Sequence, residues 1–373
     1  MKRVLKVEVL SGLLMAAAAP LWPCGARELP LTILYSFCGR DDGGNPLAIC
    51  CQGQDGSLYG TTYGGGADGA GALFKLDSNR TLTAIYPRVA VVARGRTGEF
   101  VGVVFGDKKN RGWIFRLTGD GGAKVLSSFG DIEHAGSPAS GLIQGADGCW
   151  YGLAAAVGVG GPRTLDSVYR VTTNGAVSFL HNFKGYERGS PSGELLQAAD
   201  GKLYGVVADG GKGGKGMVFS LTTNGAFGTV YAFTGGADGG KPGGPLVQGT
   251  GGCLYGTAYR GASQQSTVFR LTLQGRLDTV HSFAAGAHLN PGLAVGVGGH
   301  LYGTTAEGGE KGCGSVFRLS EAGAYRLLHS FKLETEGGDP RGSLLVGRDH
   351  YLYGAATAGG VNSEGTIFRI KEP

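Results

Sequence analysis

Apolar and polar residues alternate along most of this chain in short runs, and each run ends in glycine, asparagine or aspartate. A period of two bounded by turn formers predicts half-buried β-strands, and no stretch after the N-terminal leader shows the spacing of an amphipathic helix. Leu31-Thr32-Ile33-Leu34-Tyr35-Ser36-Phe37 is typical. In a regular strand Leu31, Ile33, Tyr35 and Phe37 would share one face, with Leu34 opposite.

The strands recur as a repeat. Leu-Tyr-Gly stands at Leu58-Tyr59-Gly60, Leu203-Tyr204-Gly205, Leu254-Tyr255-Gly256, Leu301-Tyr302-Gly303 and Leu352-Tyr353-Gly354, with variants at Trp150-Tyr151-Gly152 and Phe100-Val101-Gly102. The glycines are 42, 50, 53, 51, 47 and 51 residues apart, which makes seven copies. After each comes a strand of the type Val316-Phe317-Arg318-Leu319, then a glycine turn such as Thr173-Asn174-Gly175, then a strand ending in Phe. The two aromatics are 14 residues apart in Phe115/Phe129, Tyr169/Phe183, Phe219/Phe233, Phe269/Phe283 and Phe317/Phe331, so the hairpin has one fixed length. In the first copy that position holds Arg88. An apolar strand led by proline completes each unit, as in Pro191 to Leu196.

Four short strands repeated seven times predict an all-β fold, a seven-bladed β-propeller of four-stranded blades. Residues 31–37 copy the Phe-ending strand but precede the first repeat, and the last repeat stops at Ile370 without one. The N-terminal strand is therefore expected to complete the last blade and close the ring, leaving no open sheet edge.

Composition narrows the class. Glycine fills 74 of 373 positions and charged residues only 17%, which excludes a coiled coil or charged disorder, while 42% hydrophobic content suffices for a large core. Residues 1–26 read as a secretory signal peptide: Lys2, Arg3 and Lys6 lead an apolar run from Val9 to Ala19, edged by Glu8, and Cys24-Gly25-Ala26 offers a small-x-small cleavage site. A lipoprotein leader would acylate Cys24, but Pro23 stands where a small residue is expected. The remainder, 27–373, reads as a single propeller that is secreted or periplasmic, monomeric and without a membrane span. Cleavage lowers the net charge from +5 to +3, and with no basic stripe a nucleic-acid partner is not expected. Six cysteines remain, with no CxxC pair. Cys149 and Cys253 fall in different copies and should not pair. Cys38 with Cys50 or Cys51 would be the first candidate bridge, because they flank one connection.

The phrase Asp55-Gly56-Ser57-Leu58-Tyr59-Gly60-Thr61-Thr62, followed by Gly64-Gly65-Gly66, and the strand Gly314-Ser315-Val316-Phe317-Arg318-Leu319 resemble the GloVer tandem repeat of exported bacterial choice-of-anchor proteins. The resemblance implies a surface or secreted repeat protein. The last strand ends three residues before Pro373 with no anchor after it, from which soluble export is expected. More distantly, Asp-Gly-x-Leu-Tyr-Gly is similar to blades of sensor and lyase propellers, which keeps an enzyme in view.

Candidate chemistry is sparse. Asp209 to Gly216 lacks the first glycine and the hydroxyl of a phosphate loop, and Gly158 to Arg163 lacks the third glycine of a dinucleotide fingerprint. His181, His281 and His329 share one repeat position, so they belong to different blades and do not converge on a metal; His134, His288, His300 and His350 fall in or beside loops. Asp42, Asp238 and Asp339 read as turn caps, each too few in oxygens for calcium. One periodic feature stands out: Lys75, Arg116, Arg170, Arg270, Arg318 and Arg369 follow the strand aromatic in six copies, with Ser220 in the seventh. Such a ring suits an anionic polysaccharide, although long cationic stems also serve to cover apolar surface. The expected function is therefore a non-enzymatic scaffold for an extracellular polysaccharide or protein ligand, with no catalytic residue, cofactor or metal. The alternative is a carbohydrate-active lyase or hydrolase, which would need two or more carboxylates or histidines facing the central channel.

Overall fold

Antiparallel pairing sets the glycine of every Leu-Tyr-Gly copy opposite the aromatic of the next strand: Gly60 with Phe74, Gly102 with Phe115, Gly152 with Tyr169, Gly205 with Phe219, Gly256 with Phe269, Gly303 with Phe317, Gly354 with Phe368. The ring lies across the glycine, and a methyl group on any of the seven would strike the far end of that ring. Close approach, rather than backbone torsion, is what demands glycine there.

The computed structural model describes residues 28–373 except 68, 87–89, 107–110, 119–121, 132–135, 156–165, 260–264 and 285–286. The expected signal peptide lies outside the described residues, as do Arg88, His134 and the Gly158 to Arg163 segment. Seven antiparallel sheets form the ring. Blade 1 spans Gly44–Tyr86, blade 2 Ala90–Ser128, blade 3 Ser137–Asn182, blade 4 Pro191–Ala232, blade 5 Gly240–Ser282, blade 6 Ala294–Ser330, and blade 7 Leu345–Lys371. The chain enters each blade on its innermost strand and leaves on the outermost. Blade 7 takes its fourth strand, Leu31–Ser36, from the N-terminus, with Leu31 opposite Ile370 and Ser36 opposite Thr366. The protein is thus a seven-bladed β-propeller closed by its N-terminal strand. Among the described residues the only helical elements are three single 3-10 turns.

The outer strands are not regular. In every blade the pairing of the third and fourth strands slips by one residue at the same place, so Leu34, Ile85, Leu126, Leu180, Val230, Val280 and Leu328 are left without a partner across the ladder. Such a bulge turns the side chains on either side of it to different faces. The expected common face of Leu31, Ile33, Tyr35 and Phe37 is therefore broken: Leu31 and Ile33 pack with the core between blades 6 and 7, whereas Leu34, Tyr35 and Phe37 pack with the core between blades 7 and 1.

Past the bulge, the terminal Phe reaches the next blade and meets its third-strand aromatic. Phe37 lies on Phe74, Phe129 on Tyr169, Phe183 on Phe219, Phe233 on Phe269, Phe283 on Phe317 and Phe331 on Phe368, with ring centroids 5.0–5.4 Å apart and steeply inclined planes. Edge-to-face packing suits the quadrupoles of the rings. Between blades 1 and 2, where Arg88 replaces Phe, Tyr86 stacks on Phe115 at 5.7 Å instead.

A second joint lies nearer the axis. Gln52, Gln144, Gln197 and Gln248 end the inner strands of blades 1, 3, 4 and 5. Each amide nitrogen donates to its own first turn, and each amide oxygen accepts a backbone N–H from the preceding blade: Arg348, Arg96, Ala146 and Ala199. Blades 6 and 7 have Val295 and Val346 at this position. There the bonds come from Glu321 and Glu372, which accept the N–H groups of Thr250 and Val297 at 2.7 and 2.6 Å.

The six described cysteines are all free. The candidate bridge from Cys38 to Cys50 or Cys51 is not formed: Cys51 is buried between blades 1 and 2, and exposed Cys38 instead accepts a hydrogen bond from Asn362. Cys149 and Cys253 sit two blades apart, as their repeat positions require.

If ring closure depends on Leu31–Ser36, deleting residues 28–37 will lower the thermal midpoint far more than loss of a surface tail. Phe37→Ala alone should cost about 3–5 kcal/mol, the range for a fully buried Phe. Midpoints agreeing within a few degrees would show that the strand contributes nothing to closure.

Candidate functional site

Three places on a propeller can hold chemistry: the axis and the two faces. The axis is tight here. Gly193 lies against Gly244 and Pro245, Gly244 against Pro291 and Gly292, Gly292 against Ser343, and Gly342 against Ala48, approaches at which a Cβ would collide. Among the described residues of the seven inner strands the one carboxyl is that of Glu194, and there is no histidine. Its oxygens lie on Gly141 beside Val91, and its charge acts on the thiols of Cys50 and Cys51. Burial pushes the Glu194 pKa up to about 7 and that of Cys50 up to about 12, so the thiol stays protonated at neutral pH.

The face bearing the Asp-Gly turns carries the cationic series. Each cation stands across the ladder from the second residue of Leu-Tyr-Gly or its variant: Lys75 from Tyr59, Arg116 from Val101, Arg170 from Tyr151, Arg270 from Tyr255, Arg318 from Tyr302, Arg369 from Tyr353. They do not converge on one point, because each belongs to a different blade. Lys75 pairs with Asp55 at 3.0 Å, Arg270 with Asp278 at 2.9 Å, and Arg116 donates to the Thr173 carbonyl of the next blade. Arg369 lies 4.4 Å over the Tyr351 ring. The Nε atoms of Arg116, Arg170 and Arg369 are buried without a partner, so the stems cover apolar surface. The same face holds the tyrosines of the repeat: Tyr151, Tyr204 and Tyr353 donate to Asp147, Asp200 and Asp349 at 2.6–2.8 Å. Where Gly251 and Gly298 replace that Asp, Glu321 and Glu372 stand beside Tyr255 and Tyr302.

The histidines occupy one structural position on separate blades. His181 stacks on Phe227 and contacts Glu187 at 3.0 Å, His281 stacks on Tyr325, and His329 contacts Glu336 at 3.0 Å. Tyr35 and Tyr231, at the equivalent positions, donate to Asp42 and Asp238. Thus a long Tyr takes the short acid and a short His the long one. Asp42 and Asp238 also accept backbone N–H groups, as turn caps do. Asp339 departs from the expectation: Glu336 fills the capping role, and Asp339 pairs with Arg341 at 2.7 Å. Asp209 to Gly216 is a blade loop, with the Gly216 carbonyl accepting from Phe233.

On the opposite face the loops of blades 5, 6 and 7 enclose a cleft of about 700 Å3. His288 and Glu307 face each other across 3.4 Å, and the Asp339–Arg341 pair stands beside them. Tyr259 forms another wall, its hydroxyl pKa raised by burial and by Glu307 against the opposing effect of Arg341. Both carboxylates already face a basic partner. The cleft therefore offers donors, acceptors and titratable groups side by side with one aromatic surface. Of these residues the sequence reading had singled out His288 and Asp339. Glu307 and Arg341 depart from the repeat, which is the signal the sequence offers for them, whereas Tyr259 shares its repeat position with Tyr63 and carries no such mark.

The chain belongs to the Gloeobacter/Verrucomicrobia repeat family, whose model matches residues 86–294 and 261–373. No curated protein matches it. Among solved structures it is similar to a puromycin hydrolase, with 12% identity and a TM-score of 0.56 over 86% of this chain and 51% of that one. It is also similar to a Mycobacterium tuberculosis puromycin-hydrolyzing peptidase, with 14% identity and a TM-score of 0.52 over 90% and 53%. A PQQ-bound aldose sugar dehydrogenase from Streptomyces coelicolor aligns at 14% identity and a TM-score of 0.49, over 75% of this chain and 92% of that one. At such identities the likeness is one of fold. Among the described residues there is no group of three metal ligands and no helix long and apolar enough to cross a membrane.

The raised Glu194 pKa sets the sign of a pH effect. Below its ordinary value of 4.5 the carboxyl is protonated in the folded and unfolded chains alike; between 4.5 and about 7 only the unfolded chain ionises. Folding stability should then decline as pH rises through that window and level off above it, by about 3 kcal/mol in all. Urea unfolding at pH 4.5 and 7.5 measures this, and Glu194→Gln should remove the slope. A variant with an unchanged slope would place its origin elsewhere.

Proposed function

We propose that this protein is an exported, non-enzymatic β-propeller that binds a polysaccharide through the cleft between blades 5, 6 and 7. One observation carries the reading: the two carboxylates of the cleft are already paired, Glu307 with His288 and Asp339 with Arg341, beside the Tyr259 ring. Pre-organised donors and acceptors suit sugar hydroxyls, and an aromatic surface suits the apolar side of a sugar ring. A lyase or hydrolase using the central channel would call for two titratable groups facing one reacting bond there, and the described inner strands supply Glu194 alone.

In this reading the cationic series is chiefly packing, with anionic ligands confined to members whose heads are not occupied within the fold. Export rests on the leader pattern of residues 1–26 and on the family resemblance. Mass spectrometry of the chain recovered outside the cytoplasm should find Arg27 as its first residue; recovery of the intact leader would refute the cleavage.

A glycan array with the purified chain should show a restricted set of bound polysaccharides. Tyr259→Ala and Glu307→Gln should each weaken binding about tenfold with the thermal midpoint unchanged. Cleaved glycan products would establish the enzyme instead, and equal binding by both variants would remove the cleft from the function.

A further inference from the structure

We propose that the groove between blades 7 and 1, on the Asp-Gly turn face, binds an acidic oligosaccharide through Arg80, Arg348 and Arg369. The groove encloses about 430 Å3 where the ring closes, and its walls bring those three guanidiniums together with Asp77 and Asp349. Both carboxylates are committed within the fold. Asp349 accepts the Tyr353 hydroxyl at 2.6 Å, and Asp77 caps its turn by accepting the N–H groups of Asn79 and Thr81 at 2.9 and 2.8 Å. The guanidiniums are less occupied. Arg369 lies over Tyr351 and beside the Tyr353 hydroxyl with no acid on it, and among the described residues the Arg80 and Arg348 side chains form no ion pair. At the corresponding places elsewhere in the ring, Lys75 and Arg270 are held by acids.

Backbone strain marks the same place independently. Arg80 adopts φ +65° at the turn position where Gly175, Gly225, Gly275 and Gly323 stand in other copies, and His350 adopts φ +60° where Gly56, Gly148, Gly201 and Gly252 stand. Both residues belong to turns that border the groove. A non-glycine residue in left-handed backbone is disfavoured, and where strain collects at a concave polar site it points to a ligand. At Arg80 the substituted side chain is itself a wall of the groove.

Three guanidiniums against two carboxylates leave one net positive charge. That balance suits a sugar acid, one carboxylate among neutral hydroxyls, better than a run of phosphodiesters. A guanidinium fork matches a carboxylate with two parallel hydrogen bonds, and Gln54 and Ser78 on the walls can meet hydroxyls. The site lies at the opposite ends of the strands from the loop-face cleft, so it goes beyond the polysaccharide reading and stands or falls separately.

The test is isothermal titration calorimetry of the full chain at low salt with four probes: an oligogalacturonate, a neutral oligogalactose of equal length, an oligoglutamate of equal charge, and sodium sulfate. The oligogalacturonate should bind best. Arg348→Ala should weaken it tenfold or more, and Arg80→Gly should do the same while raising the thermal midpoint, a combination that loss of folding cannot produce. Arg276→Ala and Tyr259→Ala should bind as the parent does. Undiminished binding by Arg80→Gly and Arg348→Ala would overturn the proposal, as would absence of binding or equal affinity for the neutral sugar, the peptide or sulfate.

Discussion

Everything in this ring depends on an aromatic ring lying across a glycine. In each blade the third strand turns a Phe or Tyr over the glycine of the second, and no larger residue leaves room for it. The crossing fixes which face of the sheet holds the ring, and therefore where the ring is offered to the preceding blade. At six of the seven joints the terminal Phe of the preceding blade closes on it from that side with steeply inclined planes, and at the seventh Tyr86 stacks on Phe115. One local steric fact, repeated seven times, thus becomes a closed circle of aromatic contacts, and the N-terminal strand is recruited because its Phe37 supplies the contact to Phe74.

The bulge in each outer strand serves the same circle. It lets residues before and after the slip look into different interblade cores, so a single short strand contributes to both its neighbours. Close packing of glycines near the axis then leaves little for the channel to do. Glu194 is the carboxyl that the described inner strands place there, and burial raises its pKa to about 7. Chemistry is displaced to the two faces, where loops and turns are free to depart from the repeat.

Blade number, strand order and closure were legible because each depends on a residue that recurs: the glycine, the crossing aromatic, the terminal Phe. The bulge was not, since Leu34 reads as one apolar residue among others and its slip depends on pairing with a strand over 300 positions away. The aromatic and basic landmarks likewise drew attention to Lys75 and Arg270, whose charges are spent inside the fold. The more telling residues, Arg80, Glu307 and Arg341, break the repeat instead of keeping it. Periodicity reports what the scaffold needs, so the places where it fails deserve the closer reading in search of a ligand.

The exchange of Gln for Glu at the inner joint bears on how such a ring can be rearranged. Blade 5 lacks the turn acid beside Tyr255, and Glu321 of blade 6 stands there instead; blade 6 lacks its own, and Glu372 of blade 7 stands beside Tyr302. Both borrowed acids also accept the backbone groups that Val295 and Val346 cannot reach. Blades 5, 6 and 7 are therefore an ordered cassette: duplicating or transplanting one without its successor would strand a backbone amide. Blades 3 and 4 each carry the Asp for their own tyrosine and a Gln that accepts the turn amide of the blade before, so either could follow a copy of itself. The loop-face cleft is built by the part of the ring that can be inherited only as a whole.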